Sequence, residues 1–421
     1  MKDLIWSLVE RVFPRLASAG LMLLLAAFVT PLIVGLYAWP MVVLTLYYSA
    51  LDSAIRQVVV PSLASQEGLR LLRRYRNIAS IAGSLAIAGI LLALLLIFPA
   101  DLHGQIYAMT PLVLVPVANS FAVKPLGFLQ SRNAWAELAK MQLLASGVSL
   151  LLSVPALVLT RSLLGASLQV ALVEILFCWM VHRRARALGI EAATKGASSG
   201  AGYGREFGHA SAYSIVGWLQ GQADRLLIGG LSGTAALGSF SFATAIARNP
   251  GDAISASTGN VLRVKISVDQ GLSAVEVRRR SDDLLMRGLA LGIVLVLAIF
   301  IGVDAVLRPL LGNEWREPLD AALPAAISIL PTIVSWSLSV VLLAVGRLAW
   351  GAPIKVIGIA LAVPVALAAT QSIELASWCV LAREVVILIL LLVSCGKAAP
   401  LKSFALALAS TTAFTIAAIL L

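Results

Sequence analysis

The chain has 421 residues, of which 60% are hydrophobic and only 13% charged, with a mean hydropathy of +0.94 and a formal net charge of +11. A soluble domain carries about 25% charged residues, and here apolar runs long enough to cross a bilayer recur from end to end, so the sequence is that of a polytopic membrane protein. The runs are near the length of a membrane helix, about 20 residues, whereas the strands of a membrane barrel would be about 10 residues long with alternating polarity; an all-α fold follows, because only helices and closed barrels satisfy their backbone in lipid.

In chain order, spans are expected near 16–37, 40–60, 78–98, 107–124, 140–160 and 163–182. A polar stretch, 183–208, then carries Arg183, Arg184, Arg186 and Lys195 together with the flexible run GASSGAGYG, and reads as a basic linker. Further spans are expected near 210–231, 235–262, 285–307, 322–346, 352–370 and 373–395, with a last one near 402–421. The domain organisation that follows is an N-terminal half at 1–182, the linker at 183–208, a C-terminal half at 209–395 and an additional C-terminal segment at 396–421, with twelve to fourteen spans in all. The first apolar run is full-length and is expected to stay as a membrane helix.

Basic residues fall in alternate connections. Lys2, Arg11 and Arg15 share a side with Arg70, Arg73, Arg74 and Arg76, with Lys124, Arg132 and Lys140, and with the central linker. Arg263, Lys265, Arg278–Arg280, Arg347, Lys355, Lys397 and Lys402 complete that side, while the opposite connections are short or weakly basic. This asymmetry places the N-terminus in the cytoplasm. It also accounts for the positive charge without nucleic acid, and it suits contact with anionic lipid headgroups. Cys178, Cys379 and Cys395 lie in apolar runs with no metal or redox spacing, and His103, His182 and His209 are scattered, so no metal site and no cofactor are expected. The two halves share a weak repeat: Gly35-Leu36-Tyr37-Ala38 and Gly238-Ser239-Phe240-Ser241 each open a span that leads into a basic connection. Transporters built from parallel repeats bind substrate between their halves.

The stretch from Tyr213 to Ile266 departs from this apolar background. Its two spans meet at Ser232-Gly233-Thr234 and carry Gln220, Gln222, Asp224, Arg225, Arg248 and Asp252 within them. A charge at mid-membrane costs about 2.5–3.5 kcal/mol on insertion scales, so such residues face a protein interior or an aqueous path. The functional site is expected here.

The run Gln222-Ala-Asp224-Arg225-Leu-Leu-Ile-Gly229, with Gly233 and Leu237-Gly238-Ser-Phe-Ser, resembles the polysaccharide-export proteins of the bacterial oligosaccharidyl-lipid flippase family, within the multidrug/oligosaccharidyl-lipid/polysaccharide exporter superfamily. Thr30-Pro31, Val34-Gly35-Leu36-Tyr37-Ala38-Trp39, Ala54-Ile55-Arg56-Gln57 and Pro125-Leu-Gly-Phe-Leu-Gln130 agree with it, and the likeness extends over roughly 16–400 in pattern and span order. It implies two six-helix lobes around a central cavity that opens alternately to either side of the bacterial inner membrane. The implied substrate is an undecaprenyl-diphosphate-linked oligosaccharide used for a surface or secreted polysaccharide; membrane lipids and other polysaccharide-assembly proteins are the implied partners.

Against that background each membrane charge has two readings. Arg248 lies about 20 Å into its span at 1.5 Å per residue, beside Asn249-Pro250-Gly251, where a proline removes a helix hydrogen bond. It suits a diphosphate, which arginine binds through paired donors, or else pairs with Asp252 one turn on. Asp224 and Arg225, with Gln220 and Gln222, form a polar cavity wall, or Arg225 snorkels outward while Asp224 pairs with it or with another helix. Asp52 and Arg56 suit a cytoplasmic vestibule and an intrahelical ion pair equally. Glu174 and the Arg383-Glu384 dipeptide lie near mid-depth, where a carboxylate either couples transport to a proton or sodium gradient or pairs structurally. Lys124 reads as an anchor at a helix end, and Trp39, Trp218, Trp315 and Trp378 as interfacial anchors.

Two other functions compete with this one. A drug or metabolite antiporter of the same superfamily would prefer a carboxylate-dominated cavity for cationic substrates. A membrane glycan polymerase or glycosyltransferase needs acid, base or metal groups converging on a donor, and the sequence has no acidic DxD cluster.

Overall fold

The computed structural model describes residues 2–49, 66–132, 134–189, 203–267, 273–345, 347 and 350–420, and every regular element among them is helical. Where described, the thirteen expected segments are helices or broken helices; residues 50–60 of the second lie outside the described residues. Eight described stretches are long and apolar enough to cross a membrane, nine if one bent pair is taken as a single span. The protein is therefore a multi-pass membrane protein.

The first two segments divide differently from expectation. Helix α1 (Lys2–Ala26) ends before α2 (Pro31–Tyr47) begins, so the break lies at Ala27–Thr30, inside the run expected as one span at 16–37. The amides of Ala27 and Phe28 close α1 onto Leu24 and Leu25, and the Thr30 carbonyl accepts the first bonds of α2 from Ile33 and Val34. Pro31 stands at the first helical position, where its missing N–H leaves no partner unsatisfied. The residues on both sides are apolar, so composition hides the turn.

The chain forms two compact units, one of 1–29 with 36–222 and the other of 30–35 with 223–421. In the first, α3 (Gln66–Ile97) leads through short turns to α4 (Val115–Ser131), then α5 (Trp135–Thr160) and α6 (Leu164–Ala187) form a hairpin. The hairpin closes through Arg161 in the left-handed region (φ 47°), whose amide bonds to Leu157. Ser146, Ser149 and Ser153 lie on the buried face of α5, where small residues let membrane helices approach closely. Beneath them Leu126, Leu129, Leu138, Phe177 and Val181 form an apolar core. Arg184 in the last turn of α6 donates to both carboxylate oxygens of Glu137 in the first turn of α5, at 2.6 Å each, so one arginine of the basic stretch ties two helix ends together. The ends of the expected linker are helical: α6 runs to Ala187, and α7 (Tyr203–Leu231) begins before residue 208.

In the second unit α8 (Gly233–Ser267) packs against α9 (Ala274–Gly302), α10 (Arg316–Ile327) and α11 (Ile329–Ala344). Neither α7 nor α8 belongs to the set of apolar spans. The expected span 322–346 is a broken one. The stretches Asn313–Ile327 and Ile329–Leu342 meet at 42°, because Pro331 offers no N–H to the Ile327 carbonyl and its ring crowds it. Pro364 acts in the same way between α12 (Gly351–Ala360) and α13 (Ala362–Ala369). Helix α14 (Ile373–Cys395) and the additional C-terminal α15 (Leu401–Leu420) complete the unit. Only 17% of the most apolar part of α15 is buried, against 72% for the span containing α4, so α15 lies at the periphery of its unit. The Asp282 carboxylate of α9 accepts from the Ser403 amide (3.0 Å) and hydroxyl (2.8 Å), capping the N-terminus of α15.

Gly35 and Gly238, the two glycines that open the repeat, sit against each other's helices. A side chain at Gly35 would overlap the Thr234 carbonyl, and one at Gly238 the Pro31 carbonyl. The first turns of α2 and α8 thus meet backbone to backbone. Gly238→Ala is expected to cost about 1–3 kcal/mol through forced separation of these turns, read as a lowered Tm of the detergent-solubilised protein. Gly230→Ala, where nothing lies within 4 Å of the added carbon, is the control and should leave Tm unchanged or raise it. Equal Tm values for Gly238→Ala and wild type would show that the contact is slack.

Trp315 is a core residue and not an interfacial anchor: it is fully buried, and its ring packs tilted against Phe242 at 4.3 Å between centroids. In unit 2 the ends of the helices separate by charge. Arg278, Arg347, Lys397 and Lys402 collect where Asp282 meets Ser403 and Arg347 donates to the Ser394 carbonyl (3.2 Å). At the other end Glu317 accepts from the Ile373 amide (2.8 Å) at the start of α14, near Asp304, Asp320 and Glu374.

Candidate functional site

The charged residues of α7 and α8 meet those of α14 inside the second unit. Arg383 is the hub. Its Nη1 donates to Asp224 Oδ1 at 2.6 Å and its Nη2 to Glu384 Oε1 at 3.0 Å, so one guanidinium bridges a carboxylate from α7 and one from α14. Arg248 of α8 approaches the same Glu384 oxygen at 3.5 Å. Arg225 donates to Thr244 Oγ1 at 3.1 Å, and that hydroxyl in turn donates a hydrogen bond shared between the carbonyls of Phe240 and Ser241 on α8. Arg225 also interacts electrostatically with Asp252, Asp224 and Arg248.

The sequence builds this cluster locally by helical spacing. Arg248 and Asp252 lie one turn apart on α8, which continues through Pro250 without interruption from Gly233 to Ser267. Gly251 admits Ile329 of α11, whose side chain would lie 2.5 Å from any added β-carbon, so α11 packs directly on the helix that carries Arg248. Three arginines, Arg225, Arg248 and Arg383, face three carboxylates, Asp224, Asp252 and Glu384, and the cluster is balanced in formal charge. Balance matters because an isolated ion taken out of water costs several kcal/mol, which only well-placed partners offset.

Burial separates the members. The side chains of Arg383 and Asp224 are 4% and 5% exposed, and Arg383 Nε is buried without a hydrogen-bond partner. Arg248 is 21% exposed and has the longest contact. Arg383 is therefore the inner strut, and Arg248 is the cation at the edge with the weaker hold on its carboxylate.

Of the residues singled out in the sequence, Asp224, Arg225, Arg248 and Glu384 come together here. Asp224 pairs with another helix, and Arg248 reaches Glu384 across to α14 while Asp252 interacts with Arg225. Gln220 and Gln222 are half-buried on the preceding turns of α7. Glu174 lies in the first unit, where its carboxylate accepts from Tyr48 Oη (2.9 Å) and Asn119 Nδ2 (3.1 Å). Asp52 and Arg56 lie outside the described residues. Arg383 was legible only as the neighbour of Glu384; an arginine some ten residues into an apolar helix is itself a signal, since such a charge needs a partner. Among the described residues no group of three or more His, Cys, Asp or Glu is placed to hold a metal ion.

A family model described as "Polysaccharide biosynthesis protein" matches residues 75–320. No curated protein matches the chain. Among solved structures, the lipid II flippase MurJ in an inward closed conformation is similar at a TM-score of 0.62 and 13% identity, covering 98% of this chain and 92% of that one. MATE in complex with MaD3S gives a TM-score of 0.62 at 10% identity, covering 98% and 97%. A MOP superfamily transporter from Pyrococcus furiosus Vc1, described by the reverse polarity of its binding pocket, gives 0.58 at 11% identity, covering 97% and 96%. These likenesses establish that the chain shares the fold of these proteins. The family match covers more than half the chain, including all of α7 and α8 with Asp224, Arg225 and Arg248, and the protein accordingly belongs to the polysaccharide biosynthesis protein family.

Proposed function

We propose that the protein is a flippase that moves an undecaprenyl-diphosphate-linked oligosaccharide from the cytoplasmic to the outer leaflet of the bacterial inner membrane by alternating access. It acts as a transporter and not as an enzyme. Family membership supports a polysaccharide precursor as cargo, and the fold shared with a lipid II flippase supports a lipid-linked one.

The observation that carries the mechanism is the unequal hold on Glu384. Arg383 grips this carboxylate at 3.0 Å from within, whereas Arg248 stands 3.5 Å away at the exposed edge. A diphosphate offers paired acceptor oxygens of the kind arginine binds best. Arg248 exchanges Glu384 for the diphosphate, while Arg383 keeps the carboxylate from becoming an isolated buried charge. Protonation of Glu384 would release Arg248 in the same way, which gives a proton gradient a point of entry; Glu174, held by Tyr48 and Asn119, is the corresponding carboxylate of the first unit. The basic connections support a cytoplasmic N-terminus, and anionic lipids and polysaccharide-assembly proteins are the proposed partners.

Deletion of the gene, followed by measurement of surface glycan and of the leaflet that holds the lipid-linked precursor, tests this reading. Loss of glycan with precursor trapped in the cytoplasmic leaflet is expected. Normal glycan with normal precursor sidedness would point to a drug or metabolite antiporter. Precursor that reaches the outer leaflet without being polymerised would point to a glycan polymerase.

A further inference from the structure

The second unit contains a cavity of about 480 Å³ that the buried cluster does not use. Four helical segments converge on it. Asp304 and Arg308 come from the turns that follow α9, Asp320 from α10, Glu374 and Trp378 from α14, and Ala418 from α15. All lie at the acidic end of the unit, away from Arg278, Arg347 and Lys402.

The lining is organised. At Val303–Leu307 the helix widens into a π turn, a feature that recurs at functional sites, and Asp304 and Arg308 belong to this turn and the residue after it. Arg308 donates through Nε to Asp304 Oδ1 at 2.7 Å and through Nη2 to Asp320 Oδ1 at 2.5 Å, so it orients two carboxylates at once. Trp378 donates from Nε1 to Glu374 Oε1 at 3.2 Å, which fixes the indole against the third carboxylate. The wall thus combines an aromatic surface, held carboxylates and one guanidinium already engaged on two sides.

That chemistry selects among ligands. A divalent metal is disfavoured, because no three carboxylates among the described residues are grouped closely enough to hold one. An anion is disfavoured, because three carboxylates outnumber the single arginine in the lining. A polyhydroxylated ring fits both features: its hydroxyls donate to oriented carboxylates in charge-assisted bonds, and its C–H face packs on an aromatic plane. The volume lies within the range of small-molecule sites, about 300–1,000 Å³. We propose that this cavity is a saccharide subsite that takes a neutral or amine-bearing sugar ring and rejects uronic acids and phosphates. The proposal rests on the flippase reading: with the N-terminus in the cytoplasm the acidic end faces outward, where the subsite receives sugar units of the translocated glycan.

Saturation-transfer NMR on the purified full-length protein in detergent tests it with four probes: chitobiose, glucosamine, glucuronic acid and tetraethylammonium. Signal is expected from chitobiose and glucosamine and not from the other two. Trp378→Ala should weaken both sugars at least tenfold. Glu374→Gln keeps the shape of the wall and removes one charge, so it should weaken glucosamine while sparing chitobiose. Signal from tetraethylammonium alone would make this an organic-cation site. No sugar signal, or sugar signal unchanged in both variants, would overturn the subsite. Binding is read here without transport, so the subsite can fail while precursor sidedness still reports flipping. Conversely, sugar binding that survives alongside normal precursor sidedness in the deletion strain would sink the flippase reading alone.

Discussion

Arg383→Ala is expected to leave little folded protein. The substitution strips the hub from a site in which Asp224 and Glu384 are almost wholly buried. Breaking a buried pair by removing one partner costs about 3–5 kcal/mol, a large part of the roughly 5–15 kcal/mol that keeps a typical domain folded. Arg248 cannot compensate, because it stands 3.5 Å from Glu384 at the exposed edge of the cluster. Arg383→Lys should recover little, since one ammonium cannot reproduce the planar fork that spans two carboxylates. The triple variant Arg383→Met, Asp224→Asn, Glu384→Gln removes the buried charges together and should regain most of the stability. Thermal denaturation and monodispersity in detergent measure all three. A wild-type Tm for Arg383→Ala would show that water reaches the cluster and that Arg383 is not its strut.

Arg248→Ala is expected to do the opposite, lowering export at least tenfold with a fall in stability of at most about 1 kcal/mol, the scale of a weakly held ion pair. Glu384 keeps its 3.0 Å bond to Arg383 when Arg248 is removed, so no carboxylate is stranded. What is lost is the more exposed of the two guanidiniums that hold Glu384, 21% accessible where Arg383 is 4%. Complementation of the deletion strain, scored by surface glycan and precursor sidedness, separates the two variants: Arg383→Ala fails by loss of protein, Arg248→Ala with protein present in the membrane. Arg248→Lys should keep part of the activity, because it retains the charge but not the paired donors. Full export by Arg248→Ala would eliminate the diphosphate contact.

The residues differ in how far the sequence alone reveals them. Arg248 and Asp224 stood out because charge in an apolar run is costly wherever the run packs. Arg383-Glu384 stood out for the same reason, but the pairing did not, because Arg383 lies 159 positions from Asp224 and nothing local encodes a contact over that separation. Trp315 shows the same difficulty in apolar form. An indole suits an interface, a lipid-facing surface and a core equally, and only the packing of α10 on α8 places it against Phe242. The break before Pro31 was hidden because a turn flanked by apolar residues has no compositional signature, whereas the bend between α10 and α11 follows from Pro331 once the helix is known to run through Ser328.

The sequence by itself determined that the protein is helical, crosses the membrane many times and separates basic from weakly charged connections, and it marked α7 and α8 as the polar exception. These are properties of single segments, set by the cost of exposing backbone and charge to lipid. The tertiary structure decided which charges neutralise one another, that Arg383 is the buried strut and Arg248 the accessible edge, and that Asp304, Asp320 and Glu374 gather around one cavity. Such facts depend on how helices distant in sequence pack together, and in lipid that packing follows from shape and hydrogen bonding more than from any pattern of polar and apolar residues.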